Sequence, residues 1–328
     1  MITITGGAGF IGTRIGHLLE ENIQDFNILD IRQSRSFPQK SRDVDIRIPA
    51  ALENSLLGDS IIHLAAVHRD DVKDKSEYEN TNVTGTQNIC MAAEKAGINQ
   101  IVFTSSVAVY GFAPADTDEA GAINPFNEYG RTKFEAERVL KEWQSKAPDD
   151  RSLIIVRPTV VFGEGNRGNV YNLLKNIASG AFVMIGNGTN KKSMAYVGNI
   201  SLFLTKVMDS GPGVHIYNYV DKPDYDMNTL VSHVRGTLKG KPSVGPRLPY
   251  SIGYGAGMIA DIAARVTNRT FPISKIRIKK FTSTTAFASA AHSYPGFSAP
   301  YTISEGIERT LNHEFLNPNP TAETFETE

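Results

Sequence analysis

Residues 5–12 read TGGAGFIG and follow the short apolar run Ile2–Thr5. In the dinucleotide-binding fingerprint GxGxxG, the first glycine makes a tight turn and the second lets the backbone approach a pyrophosphate. The third lets a helix pack closely on the strand. Two spacings fit here, Gly7, Gly9 and Gly12 or Gly6, Gly9 and Gly12. The stretch therefore predicts a strand, a phosphate-binding turn, and a helix whose N-terminal N–H groups face the diphosphate.

The residues that follow this turn give it the context that the fingerprint needs. Phe26–Asp30 (FNILD) predicts a second buried strand, and Asp30 at its end lies 18 residues after Gly12. A carboxylate at this point binds the adenine ribose hydroxyls and repels a 2′-phosphate, which favours NAD over NADP. Arg32 and Arg35 follow closely and could accept a 2′-phosphate, so NADP stays the alternative. A ligand-free glycine turn and a capping carboxylate are the simpler interpretations.

The first half of the chain alternates apolar strands with helices. Continuous apolar strands separated by helices indicate a parallel sheet covered on both faces, and right-handed crossovers make it doubly wound. We therefore predict an α/β protein with a doubly wound parallel Rossmann sheet. The predicted strands are Ile2–Thr5, Phe26–Asp30, Ile61–Ala65, Gln100–Thr104 and Leu153–Val156. The predicted helices are Phe10–Glu21, Tyr78–Ala96 and Tyr129–Trp143.

The composition of the sequence changes after Arg157-Pro158, where glycine and asparagine become frequent. This change predicts a smaller C-terminal α/β substrate domain built from the loops at the carboxyl ends of the strands. Residues 1–165 and about 193–220 are assigned to the NAD-binding domain, and about 166–192 and 221–316 to the substrate domain. The polar, acidic residues 317–328 (from NPNPTAETFETE) predict a disordered tail.

Composition excludes several classes of protein. The chain has 328 residues, with 34 Lys and Arg against 35 Asp and Glu, so its formal net charge of −1 argues against nucleic-acid binding. A single cysteine excludes a disulfide framework within the chain and a cysteine-based zinc cluster. The seven histidines lack HExxH-type spacing, so no metal is expected.

Neither a targeting segment nor a membrane span is expected. The opening MITITGGAGFIG has no basic region and no cleavage site. The longest apolar stretch, Pro249–Val266, contains Asp261, Arg265 and several glycines, and is too interrupted to span a bilayer. We therefore expect a cytoplasmic protein without an integral membrane segment. An amphipathic surface helix at this stretch is the alternative.

Tyr129 and Lys133 in YGRTK are four residues apart, which places them on one face of a helix. A phenol has a pKa near 10 and is a poor base at neutral pH. A lysine ammonium a few ångströms away, together with a nicotinamide cation, would lower this pKa by roughly 1–3 units. The pair therefore predicts an acid/base for a carbinol proton, although YxxxK alone is also typical of an exposed helical pair.

Taken together, the motifs resemble the extended short-chain dehydrogenase/reductase family of nucleotide-sugar epimerases and dehydratases. The resemblance runs from Met1 to about Thr310 and is closest to enzymes like UDP-glucose 4-epimerase. Its motifs are TGGAGFIG, HLAA at 63–66, NVTGT at 82–86, FTSSVAVYG at 103–111, YGRTK at 129–133 and RPTVVFGEGN at 157–166. They are specific for the family and much less so for the substrate.

The resemblance implies a role for many individual residues. It implies that Ser106, Tyr129 and Lys133 are catalytic. The implied cofactor-binding residues are Gly6, Gly9, Phe10, Ile11, Gly12, Asp30, Ile31, Arg32, Asp45, Ile46, Leu64, Ala65, Ala66, Thr104, Tyr129, Lys133, Pro158 and Val161. Expected near the substrate are Ser105, Ser106, His68, Arg167, Asn169 and Lys192, for several of which a solvated loop or turn is the alternative.

The implied mechanism is oxidation and reduction at C4 of a nucleotide sugar. Tyr129 takes the proton of the sugar hydroxyl while hydride leaves to the nicotinamide, and Ser106 hydrogen-bonds the same oxygen. Return of the hydride to the opposite face of the 4-keto sugar gives the C4 epimer. UDP is the carrier that the resemblance favours, with a hexose or an N-acetylhexosamine as the sugar and a homodimer as the assembly. Polysaccharide biosynthesis is the expected setting.

The sequence departs from relatives at informative positions. Val107 and Ala108 stand where 4,6-dehydratases carry Asp-Glu, which argues against dehydration. Cys90 lies in a helical run and is expected to be a buried small hydrophobe instead of an acid/base. Val160 replaces an asparagine and Lys192 an arginine of many hexose epimerases. An NAD(P)H-dependent 4-keto-6-deoxy-sugar reductase therefore stays an alternative to the epimerase, and a non-catalytic dinucleotide sensor is a third.

Overall fold

The strands of the fold divide between one large sheet and two small ones. The structure, a computed structural model, describes residues 1–69, 72–267 and 275–326, without the side chains of 262–267 and 277. The strands are β1 (Ile2–Thr5), β2 (Phe26–Asp30), β3 (Ser41–Asp43), β4 (Ser60–His63), β5 (Gln100–Thr104), β6 (Ser152–Pro158), β7 (Val160–Phe162), β8 (Met184–Ile185), β9 (Lys191–Tyr196), β10 (Gly213–Tyr219), β11 (Asp221–Asp226) and β12 (Arg247–Leu248).

Helices connect and cover these strands. They are α1 (Phe10–Glu21), α2 (Pro49–Leu52), α3 (Ser76–Tyr78), α4 (Gly85–Ala96), α5 (Glu128–Ser145), α6 (Asn169–Ser179), α7 (Val197–Lys206), α8 (Met227–Lys239), α9 (Tyr250–Thr267), α10 (Lys275–Thr282) and α11 (Ile303–Leu311). A π-helical segment, Glu79–Thr84, leads into α4, and a 3₁₀ turn, Val107–Tyr110, follows β5.

The large sheet has seven parallel strands in the order β10-β6-β5-β4-β1-β2-β3. The order reverses at β1 and β4, where Thr5 lies opposite His63. In a doubly wound sheet, ligands bind in the crevice outside the carboxyl ends of the strands at this switch point. The predicted α/β fold is confirmed, and it brings the glycine turn after β1 next to the loop after β4.

Alternating side chains divide the core between the two faces of the sheet. Ile62 and Val102 point into a cluster with α1 and α7, while Ile61 and Ile101 point into a cluster with α4 and α5. Both faces of the strands are therefore buried, as the continuous apolar runs predict. Cys90 of α4 lies within the second cluster, where burial raises its thiol pKa to about 12, in agreement with the small-hydrophobe interpretation.

A second core lies beside the large sheet. The three-stranded sheet β11-β9-β7 packs with α6, α8 and α11 around a separate group of buried side chains. β10 belongs to the seven-stranded sheet, although β9 before it and β11 after it belong to the smaller one. The division into two domains stays a prediction, and residues 268–274 of the predicted substrate domain lie outside the described residues.

Residues 317–326 of the C-terminal tail, for which the sequence predicts disorder, make specific contacts with the rest of the chain. The N–H of Phe325 donates to the carbonyl of Gly165 at 2.9 Å, and the N–H of Arg167 donates to the carbonyl of Phe325 at 2.9 Å. The Phe325 ring also lies 5.7 Å from the ring of Phe10. One aromatic side chain among acidic and polar residues therefore anchors the tail, and residues 327–328 lie outside the described residues.

Within the described part of the chain, no helix combines the length and the apolar character that crossing a membrane requires.

Candidate active site

The turn after β1 is built from glycines that side chains could not replace. Gly6 has φ of +70°, and a Cβ there would lie 2.5 Å from the backbone nitrogen of Ala65. A Cβ on Gly12 would lie 2.6 Å from the carbonyl oxygen of Gly7, which holds α1 against the turn. Around Gly9 the space is more open, because an added Cβ would meet only the Gly6 oxygen at 3.2 Å among the described residues. The backbone here leaves room for a ligand.

The N-terminus of α1 is available to an anion. Gly9 is its N-cap, no side chain of the described residues caps it, and its first turn contains no acidic residue. Uncapped N–H groups at a helix N-terminus bind phosphates. The buried side chain of Phe10 lies in the core of the smaller sheet, and Ile11 packs between this core and that of the large sheet. These two predicted cofactor residues could therefore contact a ligand at the turn only through their backbone.

Asp30 lies beside this turn. Its Oδ2 accepts the N–H of Ala8 at 3.1 Å and its Oδ1 accepts the N–H of Arg32 at 3.0 Å. Burial raises the pKa of the carboxyl group, and these N–H bonds act in the opposite direction. A carboxylate fixed next to an open glycine turn and an uncapped helix fits the ribose and diphosphate of a dinucleotide.

Two further pairs of predicted cofactor residues lie near Asp30. Ile31 and Arg32 are exposed. Asp45 is paired with Arg47 at 2.6 Å, and this bond lowers the pKa of its carboxyl group. Ile46 is buried in the core with α4, so its side chain serves packing.

Five of the six remaining predicted cofactor residues lie at the carboxyl ends of neighbouring strands of the large sheet. Leu64, Ala65 and Ala66 follow β4 and are half-buried. Thr104 ends β5, and its buried hydroxyl has no hydrogen-bond partner among the described residues. Pro158 ends β6 and Val161 lies in β7. Parallel strands end at one edge, so the fold brings the residues that follow β4 and those that end β5 and β6 to the crevice of the glycine turn.

Lys133 is a buried cation beneath this edge. It is 3% exposed, and its Nζ donates to the carbonyl oxygen of Thr104 at 2.7 Å. Nζ also lies 4.6 Å from the centre of the Phe103 ring. Burial lowers the pKa of Lys133 to about 7, while the carboxylate of Glu137 one turn along α5 acts in the opposite direction. The ammonium is thus held at the end of β5 and titrates near neutral pH.

Ser106 and Tyr129 lie on two segments that touch. Ser106 is the N-cap of the 3₁₀ turn, and its Oγ accepts the N–H of Ala108 at 3.1 Å. Tyr129 lies in the first turn of α5, and at its neighbour Gly130 a Cβ would be 2.4 Å from the carbonyl oxygen of Ala108. This close approach brings the start of α5 onto the turn that carries Ser106. With Lys133 bonded to Thr104, the three predicted catalytic residues gather at one end of β5.

A buried polar network lies below the catalytic segment, and the sequence reading missed it. Glu137 and Arg157 form an ion pair at 2.6 Å, with side chains 0% and 3% exposed. The Ser105 hydroxyl donates to Glu137 at 2.6 Å, and Arg157 donates to the Tyr110 hydroxyl at 2.7 Å. Tyr110 in turn donates to Asn218 of β10 at 2.8 Å. The network ties α5 to β5, β6 and β10.

Asn82 is a second residue that the sequence reading missed. It is buried, and its amide nitrogen donates to the carbonyl of Val67 and to the hydroxyl of Thr132, each at 3.0 Å. Its Oδ1 accepts the N–H of Val67 at 2.8 Å. Asn82 therefore holds the loop after β4 against α5, next to Lys133. The segment Glu79–Thr84 reads ENTNVT, and nothing in this polar run distinguishes the buried Asn82 from the nearby Asn80.

The predicted substrate residues lie in different surroundings. Ser105 is 1% exposed and its hydroxyl donates to Glu137, so its place beside the substrate stays a prediction. His68 follows β4 and is exposed, and Asn169 is the exposed first residue of α6. Arg167 is paired with Glu314 at 2.7 Å.

Lys192 of β9, expected on the diphosphate side, is engaged with α10. Its Nζ donates to the carbonyl oxygens of Lys280 at 2.9 Å and Ser283 at 2.7 Å. Burial lowers the pKa of Lys192 to about 8. Lys192 therefore satisfies carbonyls at the C-terminal end of α10, and contact with a substrate stays a prediction for it and for Arg167, Asn169 and His68.

Comparison with known proteins identifies relatives over the whole chain. The sequence pattern of the NAD dependent epimerase/dehydratase family matches residues 2–219. An N-acetyl-alpha-D-glucosaminyl-diphospho-ditrans,octacis-undecaprenol 4-epimerase of Escherichia coli O157:H7 is 50% identical over 333 residues, covering 100% of this chain and 99% of the relative.

Solved structures show the same fold. A UDP-glucose 4-epimerase of Thermus thermophilus in complex with NAD aligns with a TM-score of 0.73 at 19% identity, over 95% of this chain and 98% of that one. A UDP-glucose 4-epimerase of Bifidobacterium longum in complex with NAD⁺ and UDP aligns with a TM-score of 0.73 at 20% identity, over 97% and 99% of the two chains.

Proposed function

The chain belongs to the NAD dependent epimerase/dehydratase family, and from this premise we propose that it interconverts the C4 epimers of an N-acetylhexosamine carried on a polyprenyl diphosphate. It is an enzyme of the extended short-chain dehydrogenase/reductase type. The observation that carries the proposal is 50% identity over the full chain to a 4-epimerase whose substrate is an undecaprenyl-diphosphate sugar. A polyprenyl diphosphate thus takes the place of the UDP that the sequence reading favoured.

The geometry at the end of β5 supports chemistry at a carbinol. Tyr129 removes the proton of the C4 hydroxyl and later returns it to the same oxygen, and Ser106 donates a hydrogen bond to that oxygen as the ketone forms. Lys133 stabilises the phenolate of Tyr129 by its charge. Since burial lowers the pKa of Lys133 to about 7, the Glu137 carboxylate matters, because it favours the charged ammonium that this role requires.

The glycine turn, the N-terminus of α1 and Asp30 are the groups that would hold NAD. When bound, NAD supplies the acceptor and donor of the C4 hydride. The protein's own task is to keep the 4-keto sugar until reduction from the other face, which requires the sugar to turn while its diphosphate stays held. The 50% identity to a 4-epimerase favours epimerisation over the 4-keto reductase, whose reaction would consume an external reductant.

Turnover of a lipid-linked sugar tests the proposal. The purified full chain is incubated in detergent with polyprenyl-diphosphate-linked N-acetylglucosamine and no added nucleotide, and the released sugar is identified after mild acid. We expect partial conversion to N-acetylgalactosamine, because the two epimers are close in free energy. Tyr129→Phe should slow conversion by about 10²–10⁴-fold, whereas Tyr217→Phe, in the apolar core beside Phe203, should retain it.

Two results would contradict the proposal. Conversion of UDP-N-acetylglucosamine with none of the lipid-linked sugar would exclude the polyprenyl carrier. Reduction of a 4-keto-6-deoxy nucleotide sugar with consumption of added NADH or NADPH, and no conversion of the lipid-linked sugar, would support the reductase alternative instead.

We also propose a homodimer and a cytoplasmic location. The support for the dimer is that α4 and α5 pack side by side, as two helices that pair across a four-helix interface must. Sedimentation of the purified chain at micromolar concentration tests it, and a monomer would refute it.

A further inference from the structure

The outward face of α9 is apolar. Ile252 and Ile259, seven residues apart and so on one face, are 56% and 70% exposed, and Met258 is 47% exposed. Residues 250–260 contain no charged side chain. The opposite face is closely packed, because Gly253 is buried and a Cβ there would lie 2.7 Å from Ile185. The helix thus docks through a glycine and displays its isoleucines to the solvent.

The neighbouring helix adds a basic margin. α10 packs against α9, and its sequence KIRIKKFT contains four basic residues and no acidic one. Lys275 and Lys279 are exposed, and Ile276 between them is 49% exposed. Asp261, an acid at this margin, accepts the backbone N–H of Lys275 at 3.1 Å. Exposed apolar side chains bordered by cations are typical of surfaces that bind anionic membranes.

Two contacts join α10 to the segments that carry the candidate catalytic residues. Lys279 lies 5.1 Å from the ring of Phe112, and Lys280 lies 5.1 Å from the ring of Phe126. Phe112 follows the turn that carries Ser106, and Phe126 lies three residues before Tyr129. Two lysines of α10 therefore contact the segments that carry the candidate catalytic residues.

We propose that Ile252, Met258, Ile259 and Ile276 form a membrane-docking surface, with α9 lying in the interface of an anionic bilayer and the lysines of α10 facing lipid headgroups. A sugar at Ser106 and Tyr129 would then have its diphosphate near Lys279 and Lys280, and its polyprenyl chain would enter the bilayer beside α9. The charge pattern favours this occupant over a second copy, because two copies facing each other would bring the basic α10 helices together.

Vesicle flotation of the full chain tests the surface without substrate or turnover. The role of the lipid rests on the proposed epimerase activity, but flotation does not depend on that activity. A failure of flotation can therefore be told apart from a failure of turnover. The vesicles contain phosphatidylcholine with roughly one third phosphatidylglycerol, at about 0.1 M salt. We expect binding that falls by at least about tenfold in the double variant Ile252→Ser with Ile259→Ser. The matched control, Ile23→Ser with Ile48→Ser, changes two isoleucines that are 94% and 52% exposed elsewhere and should bind as the unchanged chain does.

Charge gives a second measurement. Pure phosphatidylcholine vesicles, or about 1 M salt, should weaken binding several-fold, because both remove the attraction between the lysines and the anionic lipids. Equal flotation of the double variant and the unchanged chain would overturn the proposal, provided that their melting temperatures agree. So would a lack of flotation of the unchanged chain, or a dimer that dissociates in the double variant.

Discussion

Glycines allow close packing in two regions of this molecule, with opposite results. In the turn after β1, Gly6 and Gly12 pack so closely that N–H groups are presented to an anion. In α9, Gly253 lets the helix settle on Ile185, and the helix then presents Ile259 to the solvent. The first region fits a nucleotide and the second fits a lipid surface. In our account the buried region therefore determines the reaction and the exposed region determines the carrier of the sugar.

The charges of the two regions differ in the same way. Lys133, Glu137 and Arg157 are buried, and each has a hydrogen-bond partner in the protein. Lys275 and Lys279 of α10 are exposed. Removing one member of the buried Glu137–Arg157 ion pair leaves the other unpaired at a large cost, whereas removing an exposed charge costs little folding free energy. Substitutions in the buried region should thus change catalysis and stability, and those on the surface should change only binding.

Tyr129→Phe is expected to give the largest difference between the two regions, because it should affect turnover and leave vesicle binding unchanged. Loss of the phenol hydroxyl removes the acid/base, and kcat should fall by about 10²–10⁴-fold. Binding to anionic vesicles should not change, because Tyr129 is not among the four apolar side chains of the proposed docking surface. Turnover and flotation of the same preparation measure both effects. Unchanged turnover would refute the mechanism, and lost flotation would show that the two regions are not independent.

Glu137→Gln tests the buried network. It leaves the guanidinium of Arg157 buried beside a neutral partner, so the free energy of unfolding should fall by about 3–5 kcal/mol. The matched control is Glu135→Gln on the same helix. Glu135 is paired with Arg138 at 2.9 Å, and the Arg138 side chain is 65% exposed. This change should lower the free energy of unfolding by less than about 1 kcal/mol. Urea titration measures both variants, and equal losses would contradict the role of the network.

Lys133→Met separates function from stability. Folding lowers the pKa of Lys133 from 10.5 to about 7, so the full cost of burying the ammonium is present below pH 7. Between about pH 7 and 10.5 the unfolded chain holds a proton that the folded chain has released, and this cost declines as the pH rises. The ligand-free variant should therefore be more stable than the unchanged chain at about pH 6.5, by about 1–3 kcal/mol after the lost bond to Thr104 is deducted.

Thermal melting at about pH 6.5 and about pH 9.5 checks this prediction. The gain in stability should shrink at the higher pH, while turnover is lost at both. Lys95→Met, a change of a lysine that is 74% exposed, should show no such pH dependence. A variant that is less stable than the unchanged chain at the lower pH would contradict the assigned burial cost.

The smallest effect is expected from Phe325→Ala in the C-terminal tail. Its half-buried ring packs against Phe10, so its loss should cost about 1–2 kcal/mol of unfolding free energy. Thr324→Ala, an exposed neighbour, should cost less than about 0.5 kcal/mol. An equal, negligible change in unfolding free energy in both variants would mean that the contact of Phe325 with Phe10 does not stabilise the protein.

The order of the elements in the nucleotide-binding half was predictable from the sequence. Ile2–Thr5 and Phe26–Asp30 are continuous apolar runs that the glycine turn and α1 separate, and both strands have the predicted bounds. Local patterns suffice here because each strand is buried on both faces. The spacing of Tyr129 and Lys133 likewise placed them one turn apart on α5.

Contacts between distant residues were not predictable in this way. Nothing near Ser105 in the sequence indicates that its hydroxyl bonds Glu137, 32 residues later. Lys192 and Ser283 are 91 residues apart, so the role of this lysine at α10 appears only in the folded chain. The acidic composition of the tail concealed Phe325, because mean polarity does not reveal a single anchoring ring.

The central claim is oxidation and reduction at C4 in the site of Ser106, Tyr129 and Lys133, and an isotope measurement tests it most directly. Polyprenyl-diphosphate-linked N-acetylglucosamine labelled with deuterium at C4 is converted in ordinary water, and the epimer is analysed by mass spectrometry. The account predicts that the product keeps its deuterium at C4, since the hydride that leaves the sugar returns to it. Loss of the label to the solvent, or its replacement by hydrogen from added NADH, would contradict the account.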